Sequence, residues 1–222
     1  MEKKFILTDK FVINSFGIKL FQIKCTKSFK YAQKGDFGGY VEKEGNLDQK
    51  NDAWVSGNAR VFGNARVSSN ARVSGDAWVS DNARVSGDAW VSDNAWVSSN
   101  AWVSGNAWVS GNAWASGDAR VSGNARVSGD AWVSGNAWVS GDADIENDNE
   151  HCGFDGFGSC NRHTHAYMTK EKKVEIICGC FRGSIEEFEK KVEETHSGTV
   201  YEKQYKSIIN VIKIKFGLTD FT

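Results

Sequence analysis

From Ala53 to Asp148 the chain repeats one six-residue unit sixteen times without insertion, close to Ala-[Trp/Arg]-Val-Ser-Gly-[Asn/Asp]. A strict period this short specifies a solenoid, in which each unit buries its apolar side chains against stacked neighbours. In Ala53-Trp54-Val55, read as a short strand, alternation sends Ala and Val to one face and Trp or Arg to the other. Ser56-Gly57-Asn58 are turn formers, and Gly and Asn accept the positive φ of a tight corner. There is no proline, so every turn falls to Gly, Asn, Asp or Ser. Three hexapeptides close a triangular coil of eighteen residues, and sixteen make a little over five coils. Val and Ala fill the narrow interior. Ala115, where Val is expected, thins that core by the volume of methyl groups without breaking it.

An aliphatic residue followed four positions later by a small one recurs as Val55 with Ala59, Val61 with Ala65, through Val139 with Ala143. This unit resembles that of the hexapeptide-repeat, left-handed parallel β-helix proteins. The resemblance implies a left-handed winding, although parallel crossovers in general favour the right hand. The fold class expected is therefore mainly β, a left-handed parallel β-helix of about five coils with an N-terminal β cap and a C-terminal α+β cap.

The flanks read differently. In residues 1–40, Phe5-Ile6-Leu7, Phe11-Val12-Ile13 and Ile18 to Ile23 are strand-like, broken by Asp9-Lys10 and by Asn14 to Gly17. Residues 41–148 form the β-helix. Its first coil, 41–52, is irregular: Val41 and Leu47 fall six apart, then the register slips before Ala53. Residues 149–222 form the C-terminal capping or interaction region. Tyr167 to Thr169 and Val174 to Cys178 suggest a hairpin around Lys170 to Lys173. Ser184 with Glu187 is a capping box opening a helix with Ile185, Phe188 and Val192 on its apolar stripe. A second helix, about 199–214, places Tyr201, Tyr205, Ile208 and Ile212 on one face. Both flanks serve to cover the open strand edges that end a solenoid.

The lead-in Lys34-Gly35-Asp36-Phe37-Gly38-Gly39-Tyr40-Val41-Glu42, the coils, and the run from Cys178-Gly179-Cys180-Phe181 to Phe188 together resemble a group of poorly characterised bacteriophage and prophage proteins. That resemblance implies a phage setting and brings no catalytic residues.

Side chains eighteen apart stack in adjacent coils about 4.8 Å apart, which sorts the outward position into three faces. The first carries Arg60, Trp78, Trp96, Trp114 and Trp132. The second carries Trp54, Arg72, Trp90, Trp108 and Arg126, ending at Asp144. The third carries Arg66, Arg84, Trp102, Arg120 and Trp138. On the two mixed faces, indole and guanidinium should stack as cation–π pairs worth about 0.5–2 kcal/mol each. Such ladders could simply stiffen the prism. The four-tryptophan row, however, would be a large apolar patch, calling for cover by a second subunit, the tail helices or a partner. The expected partner-binding residues are Trp78, Trp96, Trp114, Trp132, Arg60, Trp90, Trp108, Trp102 and Trp138. The expected partner is a host or phage protein, with homo-oligomerisation as another way to cover the row. One concrete form is inhibition of a host defence complex such as a CRISPR effector.

Near-neutral net charge and acidic corners argue against nucleic acid as the partner, although Trp and Arg can stack bases. No run approaches a membrane span of about 18 apolar residues. Five cysteines without an apolar leader suggest a reducing, cytoplasmic host setting. The enzymatic alternative is a hexapeptide-repeat acyltransferase, whose chemistry resembles general-base activation by a histidine on or beside the coils. The repeat has no histidine; His151, His163, His165 and His196 all lie in the tail, where polar loop residues are the ordinary reading and His196 ends a helix. Cys160-x2-His163 and Cys178-x-Cys180 only half match zinc spacings, with no paired CxxC. No catalytic residue, metal or cofactor is therefore assigned.

Overall fold

The computed structural model describes residues 3–218. Each hexapeptide contributes a two-residue strand on one face of a triangular prism, and the strands stack in parallel with an eighteen-residue register. Trp78 lies on Trp96, Trp96 on Trp114 and Trp114 on Trp132, with Val79, Val97, Ala115 and Val133 beside them inside. Every inward Ala and Val from Ala53 to Val139 is buried. The prism makes about six turns, because the irregular stretch before Ala53 supplies one of its own. There Val41 pairs with Val61 and Leu47 with Val67, twenty residues on rather than eighteen. The two extra residues are taken up in the corner before Ala53.

Corners explain the fifth position of the repeat. It sits at positive φ in every regular coil: Gly57 at 65° and Gly123 at 67°, but also Ser69, Asp81, Asp93 and Ser99 at 57–59°. The neighbouring Asn is not in that region, contrary to the expectation that Gly and Asn share it. Side-chain bonding offsets the strain at Asp81 and Asp93. Their carboxylates accept from Ser80 and Ser92 Oγ and from the amides of Ser99 and Gly111 one coil on. Asn instead forms ladders, as when Asn64 donates to Asn82, Asn82 to Asn100 and Asn100 to Asp118.

At the N-terminus, β1 (Phe5–Ile13) pairs antiparallel with β2 (Lys19–Cys25), and β2 with β3 (Phe37–Val41). Strand β3 then runs parallel to Arg60–Val61, so the first face becomes an eight-stranded sheet. Asp9-Lys10 does not break β1 as expected. The register shifts between Leu7 and Phe11, and the bulge carries both charged side chains outward. A charged bulge on an edge strand also discourages pairing with another chain.

The tail is a four-stranded antiparallel sheet of His151–Phe157, Arg162–Met168, Val174–Cys178 and Phe181–Ser184, followed by α1 (Ile185–His196) and α2 (Val200–Lys215). The hairpin around 170–173 and the Ser184/Glu187 capping box are formed. One face of the sheet packs Ala166, Ile176 and Cys178 against Phe188, Val192, Tyr205 and Ile212 of the helices. The other face puts Tyr167 and Ile177 into the solenoid core. No helix among the described residues is long and apolar enough to cross a membrane.

Candidate functional site

The three faces carry the outward residues in the expected order. Their chemistry differs from face to face. On the second face, Trp90 and Trp108 stack with centroids 5.1 Å apart and planes within 3°. Arg72 lies 4.2 Å from the Trp90 ring and Arg126 lies 4.3 Å from that of Trp108. Two indoles are thus closed above and below by guanidinium, and Tyr31 from the N-terminal region continues the stack at 5.1 Å from Arg72. Trp54, at the head of this face, is not outward-exposed. It is 4 % accessible, pressed edge-on against Phe29.

The first face carries the unbroken row. Successive centroids from Trp78 to Trp132 lie 5.6, 4.8 and 5.4 Å apart. Arg60 caps it at 5.1 Å, and Phe62 and Phe16 meet Trp78 edge-on. Trp78, Trp96 and Trp114 are half-buried, while Trp132 is 50 % exposed. The tail helices spend their apolar faces on the tail sheet. They leave Trp132 open.

The third face lacks the predicted alternating stack: among the described residues it forms no cation–π contact. On this face the Trp102 indole N–H finds another partner, one shared with indoles of the other two faces. Trp102 Nε1 donates to Ser86 Oγ, and Trp90, Trp96, Trp108 and Trp132 make the same bond to Ser74, Ser80, Ser92 and Ser116. Each acceptor is sixteen residues earlier, beside the inward Val of the preceding coil. The fourth-position serine thus holds five of the indoles along the sheet; in the first-face row it does so for Trp96 and Trp132, while Trp114 Nε1 is buried without a partner. Sequence reasoning treated that serine only as a turn former. The signal was its recurrence in every unit except at Phe62 and Glu146. Where Phe62 replaces it, Trp78 gains a ring contact at 5.8 Å instead. Trp102 and Trp138 keep 42 % and 40 % exposure, so with Trp132 they are the rungs most open to a partner.

The histidines are not polar loop residues. Alternation along Arg162–Met168 turns His163, His165 and Tyr167 toward the last coil, whose outward strand edge has no next coil to pair with. His165 Nδ1 donates to the Trp138 carbonyl at 3.0 Å, and Tyr167 Oη donates to that of Ser140 at 3.2 Å. His165 Nε2 then accepts from His151 Nδ1 at 3.1 Å. On the first face, Asp148 Oδ1 accepts from the Trp132 amide at 2.7 Å. The opposite end is closed in kind, with Lys4 Nζ on the Ala53 carbonyl and Asn46 Nδ2 on that of Ala65. Edge caps of this sort satisfy backbone groups that a buried rim cannot leave unpaired.

Burial dominates the electrostatics here. It depresses His165 to about 3, lowers His151, lifts the Cys152 thiol to about 11 and brings Lys4 down to about 8. His165 is thus a neutral structural donor. His163 Nδ1 bonds the Asp155 carboxylate at 2.8 Å, and its Nε2 is buried against the Gly153 backbone. His196 ends α1 as expected and stacks on Tyr205. All five cysteines are unpaired, and no group of three or more His, Cys, Asp or Glu among the described residues is arranged to hold a metal ion.

Residues 53–69, 65–81, 77–93 and 119–135 match the family described as YdcK beta solenoid repeat. The chain is similar to that family over these coils, and the match supports a β-solenoid repeat protein. No curated protein matches it.

Proposed function

We propose that this chain is a non-enzymatic binding or scaffold protein that grips a protein partner with its Trp/Arg-lined solenoid surface. The observation that carries this reading is the row from Trp78 to Trp132, continuous across four coils and most open at Trp132, with Trp102 and Trp138 exposed on the third face. Aromatic side chains held flat and pre-ordered on a rigid sheet lose little entropy on binding, and Trp and Arg dominate the energetics of protein interfaces. Serine bonds add to that ordering at Trp96, Trp102 and Trp132, and ring contacts do so along the row. The resemblance of the flanking motifs to phage and prophage proteins favours a bacterial host protein as target. Inhibition of a defence complex such as a CRISPR effector is the form we put forward, acting in the host cytoplasm.

The test compares wild type with a Trp78/Trp96/Trp114/Trp132→Ser variant whose circular dichroism matches it. Proteins captured from bacterial lysate by wild type should be lost from the variant. An identical captured set would remove this face as the binding surface. Acetyl-CoA and acyl-carrier thermal shifts should be silent for both proteins; a shift with turnover would favour the acyltransferase alternative. Mass measurement in solution decides self-association, since a strict monomer leaves the row to a foreign partner.

A further inference from the structure

Two cavities of about 220 and 210 Å³ share one lining side chain, Arg162, the first on the solenoid side of the tail sheet and the second on its helix side. The first is walled by Trp138, Ile177 and His163, with Asn136 at its edge. The second has a floor of Phe181, Phe188 and Tyr205 and a rim that includes Lys191 and His196. Arg162 borders both, and its guanidinium has neither a carboxylate nor a hydrogen-bond acceptor among the described residues. Its position is set by the Cys178–Phe181 turn. Gly179 stands at φ 61°, and a Cβ there would come within 2.7 Å of the Arg162 Cδ and Nη1. A larger residue there would displace the exposed arginine from the turn.

No acidic side chain lines either cavity among the described residues. The nearby carboxylate of Asp155 is already engaged by His163 and Asn136. Lys191 has only an exposed contact with Glu194 at 3.4 Å. An unpaired guanidinium between two aromatic-walled hollows, with a second cation at the rim, is a set of groups complementary to an anion on a flat apolar body. The geometry points to a binding site for a small aromatic carboxylate or phosphate monoester. Its ring lies against the surface of Phe181, Phe188 and Tyr205, whose own rings already pack at 5.0 and 5.6 Å, and its anionic group is held in a fork by Arg162 with Lys191 adding charge. The site is separate from the tryptophan row and does not depend on it.

Calorimetric titration of the full chain with benzoate and with phenyl phosphate tests this, with benzyl alcohol as the uncharged control. At least one anion should bind with a Kd below about 1 mM, and Arg162→Gln should weaken it by about tenfold or more. Which anion binds more tightly separates carboxylate from phosphate as the ligand chemistry. Lys191→Gln should cost about two- to threefold, and Arg84→Gln on the solenoid should change nothing. Because Arg162 makes no internal bond, its variant should keep the wild-type melting temperature. No saturable binding of either anion up to about 10 mM would overturn the assignment. So would equal affinity in Arg162→Gln, or binding of benzyl alcohol as tight as that of the anions.

Discussion

Within the solenoid a residue's neighbour is eighteen positions away, coil after coil; in the tail, partners fall at arbitrary distances. His165 reaches back 27 residues to Trp138, and Lys215 reaches 67 to the carbonyl of Asp148. The solenoid spreads its stabilisation over many equivalent small contacts, Val on Val and Asn on Asn. The tail concentrates its hold on the last coil in a few non-repeating side chains, chiefly His165 and Tyr167, with Asp148 at the junction. A periodic structure should therefore fail through its backbone geometry, and a docked cap through single polar groups.

The largest effect should come from the corners. Gly123→Val would place a β-branched side chain at φ 67° with its Cβ 2.7 Å from the Gly141 amide nitrogen. Backbone strain and the clash together should cost about 3 kcal/mol or more in urea unfolding. Gly135, on the last coil at φ 63°, has nothing within 4 Å of a built Cβ. The same substitution there should show the conformational term alone, about 1–2 kcal/mol. Equal losses at the two sites would mean that coil-to-coil backbone packing is not what limits the corner.

His165→Leu tests the cap next. It strips the Trp138 carbonyl and His151 Nδ1 of their partner in a buried setting, at a cost of about 2–3 kcal/mol. The loss should appear as protease cleavage between the last coil and the tail sheet, while the tryptophan stacking signal in near-ultraviolet dichroism persists. Simultaneous loss of both would make the two regions one cooperative unit. The same histidine sets a pH dependence. Its folded pKa of about 3 lies below the usual histidine value of 6.5, so between these values the unfolded chain binds the extra proton. Stability should therefore fall as pH drops from about 6.5 toward 3, with a slope approaching ~1.4 kcal/mol per pH unit from this group. His151, lowered by burial as well, adds in the same direction near the top of that window. The Leu variant should lose most of the slope.

This contrast also explains what could be read from the sequence. Period and alternation fixed the three faces residue by residue, including the pairing of Val97 with Ala115 and the slip before Ala53. They also located the capping box at Ser184, because that signal is local. His165 on Trp138 was not legible: a buried histidine in a short strand looks like a polar residue unless the exposed edge it must cap is already known. Asp9-Lys10 misled for a related reason, since a bulge on an edge strand tolerates two charges that a central strand would not. The serine clamp lay in plain view but needed the geometry of the preceding coil to be understood.

One substitution should act in the opposite sense. Ala115 stands where its stacked neighbours are Val97 and Val133, so the interior lacks two methyl groups there. Ala115→Val restores the repeat in a place already shaped for it and should stabilise the solenoid by about 1 kcal/mol. A loss instead would show that neighbouring coils have closed over the gap.

The smallest expected change bears most on function. Ser86→Ala removes the acceptor of the Trp102 N–H while leaving the ring stacked on the sheet. Since Trp102 is 42 % exposed, water can replace the bond, and the stability change should stay under about 1 kcal/mol. What should change is order: the indole gains rotamers, visible as narrowed 19F resonances of fluorotryptophan at this position. If the clamp exists to hold the surface ready for a partner, affinity should fall by more than stability does, because the bound state must then supply the ordering the serine gave in advance. A stability loss above about 2 kcal/mol with unchanged affinity would assign the serine to the fold, and the tryptophans with it.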